Sequence, residues 1–151
     1  MTNNIQHILV AHDFGETAQT ALLYALDLAE TLKARVTVVH AYEIPVYGFP
    51  EGLAFAPDVT GRIETVSRQA LEGIVQRASR PAVRVDGLLR QGPAWSEVSA
   101  AAHEAKADLI VIGTHGRRGF AHALLGSVAE KVVRTAPCPV LTVHGENKSR
   151  S

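Results

Sequence analysis

Two short stretches of this chain carry no polar residue on either side of the pleat: Ile8-Leu9-Val10-Ala11 and Leu109-Ile110-Val111-Ile112. Strand side chains alternate between the two faces of a sheet, so a run that is apolar throughout needs cover above and below. Helices on both faces of a parallel sheet supply that cover. Val36-Thr37-Val38-Val39-His40, Val83 to Leu89 and Val140-Leu141-Thr142-Val143 read as further strands.

Helical patterns separate these runs. From Glu16 to about Lys33, the residues Ala18, Ala21, Leu22, Ala25, Ala29 and Leu32 repeat at the spacing of one buried helix face. A second helix is predicted from Asp58 or Arg62 to Ser79, with Ile63, Val66, Ala70, Ile74 and Ala78 as its apolar stripe; Pro81 forbids its continuation. Gly92-Pro93 opens a third, with Trp95, Val98, Ala102 and Ala105 turned inward, and a fourth runs from Val128 to about Thr135. Alternating units of this size predict an α/β fold, a single five-stranded parallel sheet with helices on both faces, in one domain over residues 1–151. Ligands of such sheets bind beyond the carboxyl ends of the strands. Asp13, Ala41 and Gly113 follow the first, second and fourth strands and so share that edge.

Two segments stand apart. Residues 44–61 contain Pro45, Gly48, Pro50, Gly52 and Pro57, with Tyr47, Phe49 and Phe55 between them. They read as a long loop, either a lid over the site or a surface insertion. Residues 145–151 form a polar tail.

The chemistry is concentrated after the fourth strand. Gly113-Thr114-His115-Gly116 is followed by nine residues, Arg117 to Leu125, then Gly126-Ser127 and a helix. Glycine lets backbone approach a ligand closely. A helix start offers unpaired N–H groups and the positive end of a dipole. Together these describe a phosphate cradle. Arg117 and Arg118 carry guanidinium groups suited to phosphate oxygens, or form a solvated pair. Ser127 and Glu130 also spell a capping box, and Asp13-x-x-Glu16 spells an N-cap, so both sites have a purely structural reading as well. A Walker-type loop would place Gly-Lys-Ser/Thr here; this chain has Leu125-Gly126-Ser127-Val128.

Other function classes recede. Lys plus Arg and Asp plus Glu are equal at 15 each, so no bulk basic field draws in nucleic acid or membrane. His12, His40, His115 and His122 fall near one sheet edge but lack a tight ligand spacing or a completing cysteine or carboxylate, and no metal site is expected. Cys138, flanked by prolines, reads as an inert thiol. The N-terminus shows no signal-peptide pattern, and a cytoplasmic location is expected.

The Gly113-x-x-Gly116-(nine residues)-Gly126-Ser127 spacing resembles that of the universal stress protein family, in its ATP-binding subgroup. The likeness covers nearly the whole chain: Ile8 to Phe14, Val38 to Ala41, Asp108 to Gly116 and Cys138 to Val143 are similar to the family's first, second, fourth and last strands with their flanks. It implies a Rossmann-like sandwich that binds ATP, with ADP or AMP as the alternative cargo; Mg²⁺ bridging the phosphates is compatible with such a site. It implies that Asp13 meets the ribose or adenine, that Ala11 and Ala41 line the base, and that Gly113 and Gly116 admit the phosphates. Gly126, Ser127 and Val128 would hold phosphate, and Ile112, which closes the fourth strand, counts with them. Ala11 stands where the family often has proline, and Gly15 where it often has serine. The last strand, Val140, Leu141, Thr142 and Val143, would pair across a homodimer, which suits an apolar edge without proline or charge. The expected function is regulatory: nucleotide orders the loop and biases a dimer or partner surface. A slow ATPase or self-phosphorylating enzyme, and a nucleotide-free dimeric interaction module, are the alternatives.

Overall fold

The computed structural model describes residues 4–44, 57–115 and 125–145. In chain order the elements are β1 (His7–Ala11), α1 (Glu16–Leu32), β2 (Arg35–Tyr42), α2 (Pro57–Ala78), β3 (Val85–Gln91), α3 (Ala94–Glu104), β4 (Leu109–Gly113), α4 (Ser127–Thr135) and β5 (Val140–Val143). The strands form one sheet in the order β3-β2-β1-β4-β5, and every pairing is parallel. This is the five-stranded α/β fold that the alternation predicts.

Each face of the sheet has its own core. Ile8, Val10, Val36, Val38, Leu109 and Val111 pack on one face against α1 and α2, through Ala21, Leu22, Leu26 and Leu71. Leu9, Val39, Ile110 and Ile112 pack on the other face against α3 and α4, through Val98, Ala101, Ala102, Ala129 and Val132. The central strands β1 and β4 are therefore buried on both sides, which is why Ile8 to Ala11 and Leu109 to Ile112 are apolar throughout; His7, buried at the start of β1, has its ring nitrogen 2.7 Å from the Thr37 hydroxyl. Trp95 packs at the margin of the second core, with the Lys131 ammonium 5.5 Å from its ring centroid.

The structure differs from the sequence expectation in two helices. Helix α2 begins at Pro57, within one residue of the Asp58 start and not at Arg62, so residues 57–61, also read as the end of the loop, belong to the helix. Residues 45–56 lie outside the described residues. Its buried face is also rotated from the expected one: Val66 is 64% exposed, while Ser67, Leu71 and Ala78 are buried and Ile74 and Val75 pack beside them. Leu32, expected on the inner face of α1, is exposed as the last residue of that helix. Lys33 then ends it in a left-handed conformation, its N–H bonded to the Ala29 carbonyl. Among the described residues no helix is long and apolar enough to cross a membrane.

Candidate functional site

The sheet order turns at β1, whose neighbours β2 and β4 lead toward opposite edges. The chain leaves β1 for α1 on one face and leaves β4 for α4 on the other, so the two connections part and open a crevice. The resulting cavity has a volume of about 720 Å³. That is ample for a small-molecule ligand. Of the residues singled out from sequence, Ala11, Asp13, Ala41, Ile112, Gly113, Gly126, Ser127 and Val128 all line it. Gly116 and Arg117 lie outside the described residues, as does Arg118. His12, His40, Glu43, Ala94, Val98 and Thr114 also line the cavity without having been singled out as ligand contacts. Ala94 had a legible signal, because a helix following β3 must start at the same end of the sheet.

The turn after β1 is fixed by its own side chains. Asp13 Oδ1 accepts the Gly15 N–H at 2.9 Å. Gly15 is the N-cap of α1 and makes no side-chain cap, so Asp13 shapes the approach to the helix and does not cap it. One residue earlier, His12 Nδ1 accepts the Phe14 N–H at 2.9 Å. A backbone N–H can only donate, so the imidazole proton is on Nε2, which reaches Gln19 Oε1 at 3.2 Å. His12 is buried, and loss of solvation holds its pKa below the ordinary value. Across the crevice the His40 Nδ1–H donates to the His12 carbonyl at 2.7 Å, and the His40 and Phe14 rings lie 4.0 Å apart.

On the other wall, α4 starts one residue earlier than a capping box at Ser127 would need. Its N-cap is Gly126, in extended conformation at φ −67° and ψ 163°, and Ser127 is its first helical residue. Ser127 would have to occupy the Gly126 position to cap, so the capping reading of Ser127 does not hold. It is exposed and turned toward the cavity. Thr114, fully buried, ties this region to the sheet edge: its N–H donates to the Val143 carbonyl at 2.9 Å and its carbonyl accepts the Gly126 N–H. Its hydroxyl lies 3.4 Å from His144 Nδ1. Gly113 has a packing role. A Cβ on it would stand 2.6 Å from Thr17 Cγ2 and 3.2 Å from Thr17 backbone atoms, so the first turn of α1 occupies the space that its missing side chain leaves.

The walls thus differ in chemistry. Small apolar residues at the ends of β1 and β2 line the cavity together with Asp13 and Glu43, while the amino terminus of α4 contributes Gly126, Ser127 and Val128. Such a helix start favours an anion. Among the described residues, no group of three or more His, Cys, Asp or Glu side chains is placed to hold a metal ion. Burial raises the Cys138 thiol pKa, which lowers its thiolate fraction.

Comparison with known proteins gives a consistent picture. The model of the universal stress protein family matches residues 4–144. A Thermus aquaticus universal stress protein, from the QAH/OAS sulfhydrylase 3′ region, is 39% identical over 90% of this chain and 96% of its own length. The universal stress protein UspA from Lactobacillus plantarum superposes with a TM-score of 0.80 at 25% identity, covering 93% of this chain and 98% of that one. A universal stress protein solved in complex with cAMP has a TM-score of 0.62 at 26% identity, covering 95% of this chain and 99% of that one.

Proposed function

The chain belongs to the universal stress protein family, and from that premise we propose that it is an ATP-binding regulatory protein whose nucleotide occupies the crevice beyond β1, β2 and β4. One observation carries the reading. Helix α4 opens into the cavity beneath a glycine N-cap that offers no side chain to its first N–H groups. Those groups have no partner within a helix and suit a phosphate. The Ser127 and Val128 N–H groups would hold it, with Gly126 leaving room at the N-cap while its own N–H stays on the Thr114 carbonyl, and with Gly116 and Arg117 contributing from the same segment of sequence. Ala11, Ala41 and Ile112 would border the base. A carboxylate accepts several hydrogen bonds at once, so the Gly15 contact leaves Asp13 able to take a ribose hydroxyl. Mg²⁺ bound with ATP would supply charge neutralisation on the phosphates. The cAMP-bound relative supports a nucleotide as the ligand class.

The deciding experiment is to purify the protein without added nucleotide, denature it and identify what is released by chromatography. Stoichiometric ATP is the expected result. ADP would transfer the weight to slow hydrolysis, and no nucleotide even after incubation with Mg-ATP would overturn the proposal.

The regulatory output is proposed to be a homodimer formed through β5. In a parallel ladder alternate residues turn their backbone groups to the neighbouring strand. Ile110 donates to the Pro139 carbonyl and Thr114 to the Val143 carbonyl, so Val140 and Thr142 direct their N–H and C=O groups away from β4. At the other edge β3 is guarded by charge, with the Arg84–Asp86 pair at 3.2 Å and Arg90 bound to Glu97 and Glu104. Thr114 supplies the link between ligand and interface, since it bonds both Gly126 and Val143. Leu141 packs against the core, so a lysine there would confuse assembly with stability. Thr142→Pro removes only an outward N–H and is expected to yield monomer in analytical ultracentrifugation; an unchanged mass for a dimeric wild type would rule out pairing through β5.

A further inference from the structure

His12 borders the cavity, yet both of its ring nitrogens are engaged inside the protein, with Phe14 and Gln19. What it holds is unusual. Phe14 has φ 68°, a left-handed conformation that side chains with bulk rarely adopt. The bond from the Phe14 N–H to His12 Nδ1 and the stacking of Phe14 on His40 retain it there. Asp13 sits between the two partners of that bond, so its carboxylate points where the His12–Phe14 clasp sends it.

We propose that neutral His12 is a positioning residue for the nucleotide site: it clasps the turn that presents Asp13, and protonation of Nδ1 opens the clasp and weakens binding. The inference rests on the nucleotide reading above. A protonated Nδ1 would confront the Phe14 N–H donor to donor, leaving the left-handed turn with the Phe14–His40 contact but without its hydrogen bond. The groups facing His12 are Gln19 on α1, Asp13 in its own turn, His40 on β2 and Arg77 on α2. Burial is the largest influence and keeps the ring neutral; Arg77 and His40 act in the same sense, Gln19 and Asp13 against it. The sign follows. His12 in the folded protein protonates below the ordinary value of 6.5, so the clasp is closed at neutral pH and opens as pH falls through that lowered pKa. Between the two values the unfolded chain binds the extra proton, so stability also falls with pH and the fold must be monitored alongside.

The test compares wild type with His12→Asn and His12→Leu. An asparagine Oδ1 accepts an N–H two residues on and does not titrate, so the clasp persists without the switch. ATP affinity is measured by equilibrium dialysis at about pH 7.5 and again below the His12 midpoint that imidazole NMR locates, with circular dichroism confirming the fold. Wild type should lose about tenfold more affinity than His12→Asn over that range, and His12→Leu should bind weakly at both ends. ATP's own titration is common to all three proteins and cancels. Parallel profiles for wild type and His12→Asn would overturn the proposal. Amide NMR provides a readout free of nucleotide: the Phe14 and Gly15 resonances should shift with His12 protonation in wild type and stay still in His12→Asn. If no variant binds ATP at neutral pH, the nucleotide reading has failed, and those two amides alone decide whether His12 holds the turn. Static amides through the His12 titration would sink the clasp in either case.

Discussion

Gly113→Val is expected to lower the unfolding free energy by about 3 kcal/mol or more, with or without nucleotide. The backbone at Gly113 lies outside the positive-φ region, so conformation is not the obstacle. Space is. A Cβ there meets Thr17 Cγ2 at 2.6 Å, and the Thr17 carbonyl carbon and oxygen at 3.2 Å prevent α1 from simply turning a side chain aside. Either α1 must lift from the end of β4 or the strand must bend, and both disturb a core that contains Ala21 and Leu22. Urea denaturation measures the loss. Thr17→Ser, which deletes only the Cγ2 methyl, should restore part of it in the double variant. Additive effects would mean that the two residues do not compete for this space. Because the penalty is structural, absence of nucleotide from Gly113→Val would say nothing about phosphate.

The same residue shows what a sequence can and cannot convey. Its position in a glycine-spaced motif was visible, but the reason for the glycine depends on where α1 lies, and no local pattern encodes that. The sheet was legible because Ile8–Ala11 and Leu109–Ile112 leave only one kind of environment for themselves. Helix α2 was less so. Ile63, Val66, Ala70 and Ile74 form one plausible stripe, and the actual face passes through Ser67, whose polarity hides it, to Leu71 and Ala78. The helix start at Ser127 moved by one position, enough to turn a capping serine into one facing the cavity. Asp13 was found by its place after β1; the His12–Phe14 clasp beside it was invisible, because a left-handed phenylalanine has no signature in sequence.

The phosphate half of the site predicts a second large effect. Val128→Asp should reduce ATP affinity about a hundredfold while leaving the fold intact. Val128 is the second residue of α4, is 37% exposed and lines the cavity. Aspartate in the first turn of a helix is favourable, because its charge meets the positive end of the dipole. The substitution therefore stabilises the helix and occupies, electrostatically, the position where a phosphate would sit. Two anions cannot share one helix start without repulsion, which makes the variant informative in a way that deletion of a contact is not. Val128→Asn changes the shape similarly without the charge and should lose far less. Raised salt should narrow the gap between the two variants, since the repulsion is screened while the shape is not. Equilibrium dialysis with ATP at two ionic strengths, beside thermal melts of each variant, makes the measurement. Full ATP binding by a stably folded Val128→Asp would mean that the anion is not held at α4, and the nucleotide would then have to enter the crevice from the side of Asp13 and Glu43.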